Sequence, residues 1–264
     1  MEQYTEFARV YDLFMDNVPY DKWAKYLNRL LKAAKVKPVI GSDKKSKPII
    51  CELGCGTGSM TRRLKALGYD MIGIDISEGM LQIARENEAD NDDSILYLEQ
   101  DMTELELYGT VSAFVSVCDS MNYITEPEEL LKVFRLVNNY LDPGGCFIFD
   151  MNTPYYYSKV LGETTICENR DEGSFIWENY YDSDTKINEF DMTIYYRDKE
   201  LGQKDYTRFE EVHYQRTYSI AEVTRLIKKS GLELVKVYDA FTEDEPDKTS
   251  QRVYFVTKTL KHAD

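Results

Sequence analysis

A chain of 264 residues with 43% hydrophobic and 30% charged content is long enough for one large globular domain, or one domain with a lobe. A net charge of −15 argues against a broad nucleic-acid surface, which needs clustered Lys and Arg. No apolar run reaches the ~18 residues of a membrane span, and Met1-Glu2-Gln3-Tyr4 lacks a basic region leading into an apolar one, so a cytoplasmic protein is expected.

Cysteine and histidine usage narrows the chemistry. Cys51, Cys55, Cys118, Cys146 and Cys167 form no C-x-x-C pair, and four of them sit in or beside predicted central strands. They read as small buried residues in a reducing compartment rather than a disulfide framework. With only two histidines, one of them His262 in the tail, no metal site is expected. The acidic balance biases the chain toward a cationic or amine-bearing ligand, although solubility accounts for it equally well.

In chain order, residues 1–37 predict two helices broken near Asn17-Val18-Pro19. Tyr4, Phe7, Ala8, Tyr11, Phe14 and Met15 recur at three- and four-residue spacing, as do Trp23, Tyr26, Leu27, Leu30 and Leu31. The Pro- and Lys-containing run from Val36 to Lys47 reads as a linker, and Lys44-Lys45-Ser46-Lys47 as its solvated face. Strands are then expected at Ile49–Leu53, Met71–Ile76, Ile95–Gln100, Ser112–Val117 and Cys146–Asp150. Helices are expected between them, at Ser59–Leu67, Glu78–Glu88 and Glu126–Leu141. Such β-α alternation implies a doubly wound parallel sheet.

The alternation breaks after the fifth strand. Phe175, Trp177 and Tyr181, then Phe190, Met192, Ile194 and Tyr196, then Val212, Tyr214 and Tyr218 follow period two. They predict antiparallel strands with one buried face, turning near Asp182-Ser183-Asp184 and Lys199-Glu200-Leu201-Gly202. A helix, Ser219–Ser230, and two strands, Leu232–Phe241 and Gln251–Lys258, close the chain. The expected division is a core of 1–154 plus 219–264 and a β insertion of 155–218.

The chemistry concentrates where the first strand ends. In Glu52-Leu53-Gly54-Cys55-Gly56-Thr57-Gly58 three glycines at every second position lead into a helix. Glycine lets a ligand approach the backbone, and the free N–H groups of a helix start favour an anionic group. The spacing is not the G-x-G-x-x-G of dinucleotide loops, and no G-K-[ST] follows. Asp75 ends the second strand, 17 residues after Gly58, where a carboxylate can accept from two ribose hydroxyls. Ser77 is placed to cap the next helix.

The E-x-G-x-G-x-G run resembles the first motif of the class I S-adenosylmethionine (SAM) dependent methyltransferases. Asp75-Ile76-Ser77-Glu78-Gly79-Met80-Leu81 resembles the family's D-x-S-x-x-M-L segment. The resemblance implies a seven-stranded Rossmann-like sheet, order 3-2-1-4-5-7-6 with the last strand antiparallel, and SAM as cofactor with S-adenosylhomocysteine as product. It implies SAM contacts from Glu52, Gly54, Cys55, Gly56, Gly58, Asp75 and Ile76. Met80 would pack beneath the adenine, and Asp101 with Met102 would read its edge. Cys118 would bind the amino-acid end through its carbonyl, and Asn122 would turn back toward the cofactor. Asp119 and Tyr123 would then face the acceptor.

The segment Phe7–Asp12 resembles the family's N-terminal lid, which makes Tyr11 a site residue. In Glu211-Val212-His213-Tyr214-Gln215-Arg216, period two places His213 and Arg216 on opposite strand faces, and both are candidates for the acceptor pocket. A hydrogen-bonded structural role fits His213 as well. The expected reaction is methyl transfer to a small-molecule acceptor, an amine nitrogen first, governed by positioning. A non-catalytic SAM-binding protein, a tRNA or other macromolecule methyltransferase, and a nicotinamide-dependent oxidoreductase remain open at this point.

Overall fold

The structure, a computed structural model, describes residues 8–40, 47–88, 94–197, 202 and 204–261. Tyr4, Phe7, Lys44, Lys45, Ser46, the turn residues Lys199 to Leu201, and His262 lie outside the described residues. Two helices open the chain, α1 (Ala8–Phe14) and α2 (Tyr20–Ala33), with Pro19 at the N-cap of the second. The core follows as β1 (Ile49–Leu53), α3 (Ser59–Ala66), β2 (Asp70–Asp75), α4 (Glu78–Glu86), β3 (Leu96–Glu99), β4 (Val111–Ser116), α5 (Pro127–Tyr140) and β5 (Leu141–Asn152). Four strands then form a separate sheet: β6 (Thr165–Asn169), β7 (Gly173–Asp182), β8 (Ile187–Tyr196) and β9 (Thr207–Arg216). The chain ends in α6 (Ile220–Ser230), β10 (Leu232–Asp239) and β11 (Arg252–Thr259).

The main sheet has seven strands in the order β3-β2-β1-β4-β5-β11-β10. All neighbours from β3 to β5 pair in parallel, while β11 runs antiparallel to both β5 and β10. This is the expected Rossmann-like order. Alternation along each strand sends neighbouring side chains into different layers. Ile50, Met71, Tyr254 and Val256 pack with α2, α3 and α4 residues such as Leu27, Leu64 and Leu81. Cys51, Phe114, Phe147, Phe149 and Phe255 pack on the other face with Phe134 and Ile227 of α5 and α6. A parallel sheet needs both faces covered, which is why its strands read as nearly continuous apolar runs.

Capping explains the helix limits. Ser77 Oγ accepts from Met80 N–H at 3.2 Å, as expected, and Ser219 with Glu222 forms a capping box at α6. Gly231 ends α6 in the left-handed region at φ 87°. The segment Tyr156–Leu161 winds as a π-helix between β5 and β6, a feature that periodicity does not announce.

A third cluster ties α1 to the second sheet. Val10 and Phe14 of α1 pack with Met80 of α4 and with Phe175, Phe190, Met192 and Ile194. Phe14 meets Phe175 edge-on at 4.9 Å. A helix of seven residues does not hold by itself, so these contacts and two polar latches fix it. Asp12 accepts from Thr57 Oγ1 at 2.6 Å and from Asn87 Nδ2 at 2.9 Å. Arg170, at the end of β6, binds the Asp16 carboxylate through two nitrogens at 2.7 and 2.8 Å and donates to the Leu13 carbonyl. α1 is thereby fastened to both the glycine loop and the inserted sheet. Among the described residues no helix is long and apolar enough to cross a membrane.

Candidate functional site

Strands β1, β2 and β4 end at the same edge of the sheet, and a cavity of about 620 Å³ opens there. Ligands of open α/β sheets bind at this edge because the loops diverge where the strand order reverses. Gly54, Cys55, Gly56, Thr57 and Glu52 form one wall, and Asp75, Ile76, Met80, Asp101 and Met102 the next. Cys118, Asp119, Ser120 and Tyr123 line the floor. Tyr11, Phe14, Tyr20 and Trp23 from the first two helices, with Phe175, Trp177, Phe190 and Met192 from the inserted sheet, close the top.

The loop glycines differ in what they do. A Cβ on Gly56 (φ 53°) would meet no protein atom within 4 Å, which leaves its backbone open to a ligand. A Cβ on Gly58 (φ 73°) would stand 2.4 Å from the Tyr97 hydroxyl. Gly58 is not part of the cavity wall. It starts α3 and gives way to Tyr97, so its glycine answers a packing need rather than a cofactor contact.

Asp75 fastens the loop to β2. Its Oδ2 accepts from Gly56 N–H at 2.7 Å and its Oδ1 from Ser77 N–H at 3.0 Å. The carboxylate is therefore engaged before any ligand arrives, with lone pairs remaining on each oxygen. Burial pushes its pKa up, while the backbone amides pull it down. Asp101 Oδ1 likewise accepts from Thr103 N–H at 2.8 Å, so Asp101 both caps a short turn and lines the cavity.

Glu52 is 1% exposed and accepts from Thr61 Oγ1 at 2.5 Å. Burial raises its pKa to about 8, Thr61 opposes the shift, and Asp75 adds to it. On the floor, Cys118 and Asp119 both adopt left-handed backbone, at φ 59° and 54°. Two consecutive non-glycine residues in that region are costly unless held. Asp150 holds them by accepting from Cys118 N–H at 3.3 Å and Asp119 N–H at 2.8 Å.

Two further expected site residues, Asn122 and Arg216, lie outside the cavity wall. Asn122 is fully buried and does not reach the cavity. Its amide donates to the carbonyls of Asn152 and Arg216 and accepts from Asn152 N–H, which ties the floor loop to β5 and β9. Arg216 also lies outside the cavity wall, donating to the Thr185 carbonyl at 3.3 Å and covering the Tyr218 ring. His213 lines the cavity but exposes none of its surface. Its Nε2 is 3.1 Å from Glu211, and its ring stacks on Phe190 at 4.9 Å. Tyr11 is in the wall, hydrogen-bonded to Tyr20, and burial holds its hydroxyl well above the ordinary pKa.

Two wall residues were not among the expected site residues, although Gln215 lies in the run that holds His213 and Arg216. Arg252, the first residue of β11, reaches the cavity between Asp119 and Asp150. Gln215 donates to Asp119 Oδ2 at 2.7 Å and accepts from the Tyr157 hydroxyl at 2.7 Å. The only sequence signal for Arg252 is a charged residue opening an apolar strand. Among the described residues, no group of His, Cys, Asp and Glu could hold a metal ion.

Comparison with known proteins agrees with this geometry. A methyltransferase domain model matches residues 50–145, the span from β1 into the first residues of β5. YqeM of Bacillus subtilis (strain 168), named as a methyltransferase, is 32% identical over 98% of this chain and 98% of its own. An amino-sugar N,N-dimethyltransferase of Streptomyces venezuelae, acting on dTDP-3-amino-3,4,6-trideoxy-alpha-D-glucopyranose, is 26% identical over 59% of this chain and 60% of its own. The crystal structure of a SAM-dependent methyltransferase from Clostridium acetobutylicum ATCC 824 superimposes with a TM-score of 0.83 at 26% identity. It covers 98% of this chain and 99% of that one. With the glycine loop, the strand order and a relative matched along nearly the whole chain, this protein belongs to the class I SAM-dependent methyltransferases.

Proposed function

We propose that the enzyme transfers the methyl of SAM to an amine nitrogen of a small molecule held beneath the inserted sheet. One observation carries the amine reading. Four carboxyl groups, Glu52, Asp75, Asp101 and Asp119, line the cavity against one guanidinium, Arg252. That balance suits a cationic sulfonium cofactor and an amine partner, and it disfavours an anionic acceptor. The amino-sugar relative supports the same chemistry. SAM supplies an activated methyl, so the chain's task is to orient the two ligands and exclude water.

In this reading Gly54, Cys55 and Gly56 receive the amino-acid end of the cofactor, together with the Cys118 carbonyl. Asp75 accepts from the ribose, and Ile76, Met80, Asp101 and Met102 surround the adenine. Tyr11, Tyr20 and the lobe aromatics enclose the acceptor, whose amine faces Asp119. The β insertion of residues 155–218 covers that space, and the free cysteines suit a reducing cytoplasm. His213 acts by holding Phe190 and Glu211 in place.

The test is mass spectrometry after incubation with SAM and two metabolite pools, one of amines and one of hydroxyl compounds without amines. Methylated products are expected from the amine pool, and products confined to the other pool would overturn the reading. Asp75→Ala should weaken SAM by about 1.5–3 kcal/mol in calorimetric titration, the size of hydrogen bonds to a charged group. An unchanged affinity would remove the ribose assignment.

A further inference from the structure

Arg252 comes from the strand that runs against the others, and that reversal puts its first residue at the cavity edge. It pairs across the sheet with Asn152, at the C-terminal end of β5. Its Nη1 donates to Asp150 Oδ2 at 2.8 Å and its Nη2 to Asp119 Oδ1 at 2.6 Å. The guanidinium lies 5.6 Å from the centre of the Trp23 ring, and its side chain is 19% exposed. A planar fork held on both prongs has one orientation.

The two carboxylates it bridges are the ones that shape the floor. Asp150, fully buried, accepts both amides of the left-handed Cys118–Asp119 turn. Asp119 is fixed from its other side by Gln215, whose amide orientation is set because its oxygen accepts from Tyr157. Without the guanidinium, Asp119 and Asp150 would be two carboxylates close together in a poorly solvated pocket. Their repulsion would push the two carboxylates apart. A displaced Asp150 no longer accepts both amides, which releases the turn.

We infer that Arg252 is a positioning residue for the cofactor's amino-acid end: it holds Asp150 and Asp119 so that the Cys118–Asp119 turn keeps its left-handed backbone. This rests on the reading that the Cys118 carbonyl meets the amino-acid end. The adenine and ribose contacts lie on β2, β3 and their loops, away from this network, so they are unaffected. The effect is therefore selective within one ligand.

Two probes resolve it, S-adenosylhomocysteine, which carries the amino-acid end, and 5′-methylthioadenosine, which lacks it. Calorimetric titration of Arg252→Gln should show about a tenfold loss for the first and a change under about twofold for the second. Arg252→Lys, which keeps the charge and loses the fork, should fall between wild type and Arg252→Gln. The double variant Arg252→Gln/Asp150→Asn balances the buried charge and should still bind S-adenosylhomocysteine as weakly as Arg252→Gln. An equal loss for both probes, or no loss for either, overturns the proposal. Failure of Arg252→Lys to fold overturns it too, since Arg252 would then belong to the core. If the wild-type protein binds both probes equally, the reading of Cys118 fails instead, which is a separate result.

Discussion

Gly56→Ala should abolish cofactor binding in a protein that still folds, whereas Gly58→Ala should destabilise the fold. Both glycines have positive φ, at 53° and 73°, so each substitution carries backbone strain of about 1–2 kcal/mol. The surroundings separate them. At Gly56 the new methyl meets no protein atom within 4 Å and stands on the cavity wall, so its remaining cost falls on the ligand. At Gly58 it stands 2.4 Å from the Tyr97 hydroxyl and 3.2 Å from Ala84 Cβ. Overpacking adds about 1–3 kcal/mol, for a total loss of about 2–5 kcal/mol. Chemical denaturation and SAM titration of both variants check this. Wild-type SAM affinity in Gly56→Ala would show that the loop does not approach the cofactor, and equal stability losses would remove the division of roles.

Glu52→Gln should become progressively more stable than wild type as pH rises from about 5 to about 8, by about 3 kcal/mol over that range. The folded-state pKa of Glu52 is raised from 4.5 to about 8, chiefly by burial. The proton is therefore bound more tightly in the folded chain. The stability this contributes is complete below the unfolded pKa and is lost as pH rises through about 8. Glutamine keeps an acceptor for the Thr61 hydroxyl and has no proton to lose, so the slope from this group vanishes. Denaturation midpoints of the two proteins across the range measure the difference, and parallel curves would refute the buried neutral carboxyl. A bound cation changes the balance. SAM should bind with proton release below about pH 8, and Glu52→Gln should bind it without that release. Calorimetry in buffers of different ionisation enthalpy reads the proton directly.

Much of the site was legible because its determinants are local. A glycine loop after a buried strand, an acid at the next strand end and a serine cap are each set by a few consecutive residues. Their backbone geometry follows from steric rules that act over that distance. Most helix and strand limits shifted by only a residue or two, as capping at Ser77 and Ser219 would suggest, but β5 begins at Leu141, five residues before the expected Cys146. The loop after β4 was harder to read. Asn122 sits in a turn that looks ligand-facing from its neighbours, yet its amide is consumed by Asn152 and by Arg216, 94 positions further along. Gly58 completes the motif in sequence, but Tyr97, from a different strand, requires its missing side chain.

By itself the sequence determined the doubly wound sheet and the glycine loop at the end of its first strand. Those follow from periodicity and turn chemistry, which are properties of short segments. The tertiary structure alone decided which polar groups meet across long separations. It brought Asp12 to Thr57, Arg170 to Asp16, and Arg252 to Asp119 and Asp150. Each pairing joins strands or helices whose relative placement is set by burial of apolar faces, a non-directional force that leaves no local signature. Arg252 is the clearest case. Its place beside the floor of the cavity depends on the one strand that runs antiparallel between β5 and β10.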